Sequence, residues 1–262
     1  MTVVEPAVAV VAIVIVFVAA MVQRLTGMGF ALVATPVLVI LFGPVNGVLI
    51  ELVTGTFVSL VMLALPGSRG GGASSPGGSS PAGVIHWPRA LKLTASAVAA
   101  MPLGLLLIFV LPSGWLMILV ACAAAFSLWW GMRPRVTPKP EGVLDVYLTG
   151  VTTGILHITS GLSGPPMVGY ALKTRWDQRQ FIMSMQVVFV CLTVASLVLR
   201  GLPSIPLELM AWLLLSALGG TLLATALNRF IPVRVVRIFM LVVSWTGTVT
   251  VLVRGVLEAV GA

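Results

Sequence analysis

Two short glycine-rich stretches, one in each half of the chain, are candidates for binding an anion. The first is Thr26-Gly27-Met28-Gly29, and the second is Ser160-Gly161-Leu162-Ser163-Gly164-Pro165-Pro166. Glycine lets the backbone turn where one helix ends, and free N–H groups at the positive start of the next helix attract negative charge. We expect Thr26 and Ser163 to be the N-caps of those next helices. The alternative is that the glycines only permit tight helix packing, but two matched clusters with hydroxyl groups favour a substrate site.

Ionisable side chains lie near both stretches. Arg24 precedes the first stretch and His157 precedes the second; both could balance the charge of a bound anion, and His157 could also carry a proton. The alternatives are an Arg24 that anchors at the membrane surface and a His157 that only packs. Glu51 lies inside an apolar run, where an ionisable group is a functional candidate. We interpret it as a proton-coupling residue, unless it lies hydrated near the outer end of its segment.

The predicted site combines the polar and glycine residues of both stretches with their neighbours. The predicted substrate-binding residues are Gln23, Arg24, Thr26, Gly27, Met28, Gly29, His157, Thr159, Ser160, Gly161, Ser163 and Gly164. Glu51 and His157 are the proton-coupling candidates, and Gln186, near the mirror position of Glu51, is expected to be its gate or symmetry partner. Cys122 and Cys191 are isolated, so no metal site and no cofactor are expected.

These residues belong to a chain that cannot build a water-facing surface. Of its 262 residues, 59% are hydrophobic and 8% are charged, whereas roughly a quarter of a soluble domain is charged. This composition excludes a cytosolic enzyme, a secreted disulfide scaffold and a disordered chain. The apolar runs between proline and glycine breakers predict ten membrane segments, at 6–24, 27–42, 44–65, 89–110, 113–132, 143–159, 164–173, 180–200, 204–227 and 232–254. The predicted fold class is therefore all-α, a polytopic membrane helical bundle.

The chain divides into two transmembrane repeats. Residues 1–132 form the first, with a flexible cytoplasmic loop at 66–88 that is rich in glycine, serine and proline, and residues 143–262 form the second. A short basic cytoplasmic connector, 133–142, joins them. Each half has about five segments, an odd number, so the second half enters the membrane from the opposite side. This arrangement predicts an inverted repeat, as found in many secondary transporters.

Sequence similarity between the halves supports the repeat. Residues 23–29 align with 157–163, and residues 56–61 resemble 193–198. Segment 164–173 is too short to cross a hydrocarbon core of roughly 30 Å. We therefore expect a broken, re-entrant helical hairpin in each half, with its tip inside the protein.

The distribution of positive charge predicts the orientation. The net charge is +8, with fifteen lysines and arginines, but no basic stripe interleaved with aromatic residues indicates nucleic-acid binding. Thirteen of the fifteen lie in alternate connections, and only Arg200 and Arg254 lie in the others. The positive-inside rule then places the thirteen in the cytoplasm and both termini outside the cell inner (plasma) membrane.

At its two glycine-rich stretches the sequence resembles the sulfite exporter TauE/SafE family, also called the toluenesulfonate uptake permease family. The resemblance rests on Thr26-Gly27-Met28-Gly29-Phe30, followed by Thr35-Pro36-Val37-Leu38, and on Ser160-Gly161-Leu162-Ser163-Gly164-Pro165-Pro166. It extends over most of the chain as two related halves. It implies a transporter of sulfur-containing anions, such as sulfite and organosulfonates, in the bacterial inner membrane. The long glycine- and serine-rich loop at 67–83 is not part of that resemblance.

The leading functional prediction is a secondary transporter of a small anion, coupled to protons or to the gradient of the anion itself. The sequence contains no GxxxxGK[ST] motif, which argues against ATP hydrolysis. The alternatives are an anion channel and an intramembrane enzyme, which would need paired carboxylates, a metal set or an activated nucleophile. The expected partners are the anion and the lipid bilayer. The identity of the anion, the direction of transport and the oligomeric state, a homo-oligomer included, stay open.

Overall fold

The computed structural model describes residues 5–65, 85–132, 142–227 and 233–261. Within these ranges the chain forms nine α-helices and no strand, and six helices are long and apolar enough to cross a membrane. The helices are α1 (Pro6–Thr26), α2 (Phe30–Ala64), α3 (Trp87–Val110), α4 (Ser113–Met132), α5 (Val143–Ser160), α6 (Gly164–Lys173), α7 (Gln178–Arg200), α8 (Leu207–Leu227) and α9 (Val233–Val260). The prediction of an all-α membrane bundle is confirmed.

Helix α2 contains two of the predicted segments, separated by a break. Gly43 has φ 79° and ψ 169°, which is not helical, and Pro44 follows it. Because proline has no N–H group, the carbonyl of Ile40 loses its intrahelical donor. The predicted boundary between 27–42 and 44–65 therefore lies at the break in the structure.

Several predicted ends need correction. α2 begins at Phe30 rather than at residue 27, because Gly27 and Gly29 both have positive φ. The eighth helix begins at Leu207 rather than at 204. α3 begins at Trp87 with a proline in its first turn, so the loop predicted over 66–88 ends before it. The rest of that prediction, at 66–84, and the connector at 133–141 lie outside the described residues.

Close pairs of helices form the body of the bundle. α1 packs against α8, α3 against α5, and α4 against α9. Glycines lie at the crossings: a Cβ at Gly154 would meet the backbone of Ala97, and a Cβ at Gly220 would meet the backbone of Phe17. Small residues at such places let two membrane helices approach closely. Outward-facing apolar side chains such as Phe109 suit a lipid environment.

Two arginines bind the backbone around the break in α2. The Arg254 Nη1 atom donates to the Ile40 carbonyl at 2.6 Å. The Arg200 Nη2 atom donates to the Val45 carbonyl at 3.1 Å, and its Nη1 atom donates to the Ile158 carbonyl of α5. These are the two arginines that the charge pattern separates from the other thirteen basic residues. Their placement therefore has a structural reason, since they satisfy carbonyl groups at helix interruptions.

Candidate functional site

Helices α1 and α5 end in the same conformation. Their C-caps, Gly27 with φ 83° and Gly161 with φ 72°, are both left-handed. The N–H group of Gly27 donates to the Gln23 carbonyl at 2.7 Å, and that of Gly161 donates to the His157 carbonyl at 3.0 Å. The left-handed region costs most side chains roughly 1–2 kcal/mol, so glycine suits both positions. We call the turns that follow the first tip (27–29) and the second tip (161–163).

The hydroxyl groups near the tips make no helix-capping bond. Thr26 is the last residue of α1 and donates to the Val22 carbonyl at 2.7 Å, while Gly29 occupies the N-cap position of α2. The prediction of Thr26 as an N-cap is wrong, because the two positive-φ glycines move the start of α2 forward. Ser163 does precede α6, but it makes no side-chain capping bond and its hydroxyl contacts His157 instead.

Both tips line one cavity of about 440 Å³. From the sequence-predicted site it gathers the residues Gln23, Thr26, Met28, Gly29, Glu51, His157, Gly161, Ser163 and Gly164. Most of its other walls are apolar and include Leu52, Leu128, Leu162, Phe189 and Met240. The cavity therefore combines a few polar groups at the tips with a larger apolar surface, as ligand sites commonly do.

The other predicted site residues lie outside this lining. Arg24 is buried, and its Nε atom donates to Thr225 of α8 at 2.8 Å. The hydroxyl of Thr159 donates to the Ile155 carbonyl at 2.7 Å. The hydroxyl of Ser160 donates to the Leu156 carbonyl at 2.8 Å. Gly27 faces α7, where a Cβ would meet Ile182. The structure thus does not bring Arg24 to the cavity.

Glutamine side chains hold the first tip. The Gln186 Nε2 atom donates to the Gly27 carbonyl at 3.2 Å. The Gln23 Nε2 atom lies 3.3 Å from both the Gln186 Oε1 atom and the Ser59 hydroxyl. These residues come from α1, α2 and α7 and are all buried. Gln186 therefore contacts the first tip without lining the cavity.

Glu51 reaches the second tip. It is 5% exposed, and a Cβ placed on Gly161 would overlap its Oε2 atom. The same Cβ would lie 3.6 Å from the Thr35 hydroxyl. Both oxygens are buried without a hydrogen-bond partner in the described part of the chain. Glu51 of the first half thus contacts the second tip, as Gln186 of the second half contacts the first.

His157 is buried between two hydroxyl groups. Its Nδ1 atom lies 3.2 Å from the Ser163 hydroxyl, and its Nε2 atom lies 3.4 Å from the Thr193 hydroxyl of α7. Because a hydroxyl can donate or accept, this arrangement suits either neutral tautomer of the ring. A ring so placed can exchange one of these hydroxyl partners for a ligand in the cavity.

Few donors at the tips are free to bind an anion. The N–H groups of Gly27 and Gly161 are used within their own turns. Those of Met28, Gly29 and Gly164 make no hydrogen bond among the described residues. The described lining contains no lysine or arginine, and Glu51 and His157 are its ionisable groups. An anion there would be held by N–H groups, hydroxyls and the imidazole rather than by a fixed cation.

The structure adds site residues that the sequence reasoning did not assign. Ser59 lies in the segment 56–61 and Thr193 lies in the segment 193–198, and the similarity of these two segments indicated the repeat. That similarity was the available signal for them. No local pattern shows that Arg200 joins α2 to α5, because its acceptors are backbone carbonyls distant in sequence.

Comparison with known proteins gives one match. A family model described as "Sulfite exporter TauE/SafE" matches residues 12–250, which include both tips, Glu51 and Gln186. No curated protein and no solved structure matches the chain. The part of the chain that the structure describes contains no cluster of three or more metal-ligating His, Cys, Asp or Glu side chains.

Proposed function

The chain belongs to the TauE/SafE sulfite exporter family, and we propose that it is a secondary transporter of a small sulfur-containing anion, such as sulfite or an organosulfonate, across the bacterial inner membrane. The observation that carries the proposal is the cavity that both glycine tips line together. Irregular backbone at membrane depth is tolerated where it lines such a cavity. In transporters, helix ends of this kind contact the substrate.

The relation between the two halves supports alternating access. The pairs α1–α8 and α3–α5 each join the first helix of one half to the fourth segment of the other, and α4–α9 joins the two last helices. The tip contacts also cross between the halves: Glu51 of the first half contacts the second tip, and Gln186 of the second half contacts the first tip. An inverted repeat accounts for this pattern, and rocking of one half against the other would open the cavity to each side in turn.

Charge balance supports coupling to protons. An anion bound near a charged Glu51 about 6 Å away would be repelled by roughly 3 kcal/mol at an effective dielectric constant of about 20. The described lining itself holds no lysine or arginine to offset that repulsion, and Arg200, which lies outside the lining, donates to the backbone carbonyls of Ile158 and Val45. A proton on Glu51 removes the repulsion, so the anion and a proton occupy the site together. Uptake or export then follows the combined gradient of the two.

Transport into proteoliposomes tests this function. The purified chain should take up sulfite or an organosulfonate when the outside is more acidic, and preloaded unlabelled anion should accelerate entry by exchange. The control is vesicles that contain Ser163→Ala protein, with reduced affinity for the anion. The proposal is contradicted if neither sulfite nor any organosulfonate tested is taken up. Uptake without exchange indicates a channel.

A further inference from the structure

Different chemical groups hold the two tips at matching positions. At the first tip the Gln186 amide nitrogen donates to the Gly27 carbonyl. At the second tip the Glu51 Oε2 atom lies so close to Gly161 that a Cβ there would overlap it. An amide always carries N–H donors, whereas a carboxyl group donates only when it is protonated. One tip therefore has a permanent donor and the other has a titratable one.

The C-terminal end of α5, unlike the start of α6, is an unfavourable neighbour for a carboxylate. Gly161 caps the C-terminal end of α5, and the carbonyl groups at such an end give it a partial negative charge. The Glu51 Oε2 atom and the Thr35 hydroxyl are both buried there without partners among the described residues. A charged Glu51 repels this helix end, whereas a protonated one can donate a hydrogen bond towards it.

Two other ionisable side chains face Glu51 from neighbouring helices. His157 of α5 lines the same cavity. The positive charge of Arg200 of α7 acts on both Glu51 and His157. However, the terminal nitrogens of Arg200 donate to the Ile158 and Val45 carbonyls, and the Glu51 Oε2 atom has no hydrogen-bond partner among the described residues. Arg200 is therefore engaged with backbone carbonyls and does not replace the missing donor.

We propose that in the anion-free protein the second tip is a proton-controlled gate: protonation of Glu51 locks it to α2, and loss of the proton releases it. In the same anion-free protein the first tip stays closed at every pH because Gln186 holds it. Only one wall of the cavity then moves when the coupling proton leaves. The inference rests on the proposed function for its purpose, but the movement itself does not require an anion.

Cysteine labelling without substrate tests the gate in the full chain. Gly164 lines the cavity and has no atom within 4 Å of a would-be Cβ, so Gly164→Cys is a suitable probe after Cys122 and Cys191 are replaced by serine. A small thiol reagent is applied in proteoliposomes from acidic to alkaline pH. Because the thiolate fraction itself rises with pH, the same probe in Glu51→Gln protein is the reference.

From acidic to alkaline pH, we expect the labelling rate of Gly164→Cys to rise about fivefold or more beyond the rise in the Glu51→Gln reference. A fivefold change is the lower end of typical coupling between linked sites. The matched probe Met28→Cys at the first tip should show the same pH profile whether or not the Glu51→Gln substitution is present. Equal profiles for Gly164→Cys in both backgrounds would overturn the gate.

A second variant keeps the test decisive if Glu51→Gln does not fold. Gln186→Glu places a titratable group at the first tip, so labelling of Met28→Cys should rise with pH more steeply than it does with Gln186 in place. An unchanged profile in that variant also refutes the gate. Because no anion is present, either result leaves the transport proposal to its own experiment, and a failure of transport leaves this labelling result standing.

Discussion

At the residue scale, the contact between Gly161 and Glu51 is the most constrained feature of the site. Both tip glycines are left-handed, but their surroundings differ. A Cβ at Gly27 would crowd the branched side chain of Ile182, whereas a Cβ at Gly161 would overlap the Glu51 carboxyl group. The cost of substitution should therefore depend on Glu51 at one tip only.

Alanine substitutions at the two glycines test this difference. Gly27→Ala and Gly161→Ala should each lose about 1–2 kcal/mol of stability from the backbone alone, with a further loss from crowding against Ile182 at Gly27 and against Glu51 at Gly161. Adding Glu51→Ala should recover part of the loss for Gly161→Ala and none for Gly27→Ala. Thermal unfolding in detergent measures both cycles. Additive effects at Gly161 would show that the carboxyl group does not constrain the tip.

Two serines at the second tip provide a matched test of the binding site. Ser163 lines the cavity, whereas the Ser160 hydroxyl lies outside the lining, where it donates to the Leu156 carbonyl and accepts from the Leu162 N–H group. Ser163→Ala should weaken anion binding by up to roughly tenfold, the effect of losing a neutral hydrogen bond. Ser160→Ala should bind like the parent. Calorimetry with the transported anion distinguishes them, and equal weakening would place the anion elsewhere.

At the scale of elements, the break in α2 depends on arginines from distant helices. Arg200 donates to carbonyls of both α2 and α5, whereas Arg254 donates to one carbonyl and is exposed. A charged hydrogen bond contributes about 1.5–3 kcal/mol. Arg200→Gln should therefore reduce the thermal stability more than Arg254→Gln does. Equal melting temperatures for the two variants would contradict this role.

The elements were largely predictable from sequence because apolar runs and helix breakers are local signals. The bounds 164–173 and 113–132 agree with α6 and α4, and Gly43 and Pro44 do interrupt a helix as expected. The site was less predictable. Arg24 faces Thr225 rather than the cavity, and this orientation depends on how α1 packs against α8, which sequence spacing alone does not reveal.

At the scale of the whole molecule, we expect the orientation to follow the positive-inside rule. The connection at 201–206 would then lie outside, and the connector at 133–142 would lie in the cytoplasm. A membrane-impermeant thiol reagent should label Gly201→Cys in intact cells but should label Lys139→Cys only after the membrane is opened. The reverse pattern would invert the topology while leaving the cavity unchanged.

The central claim is that a proton on Glu51 accompanies the anion through the cavity. The most direct measurement is anion flux in proteoliposomes for the parent and for Glu51→Gln, once with a pH gradient and once as exchange at equal pH. The account predicts that the variant loses gradient-driven accumulation but retains exchange, because its neutral side chain binds the anion without releasing a proton. Accumulation that responds to the pH gradient equally in both proteins would contradict the claim.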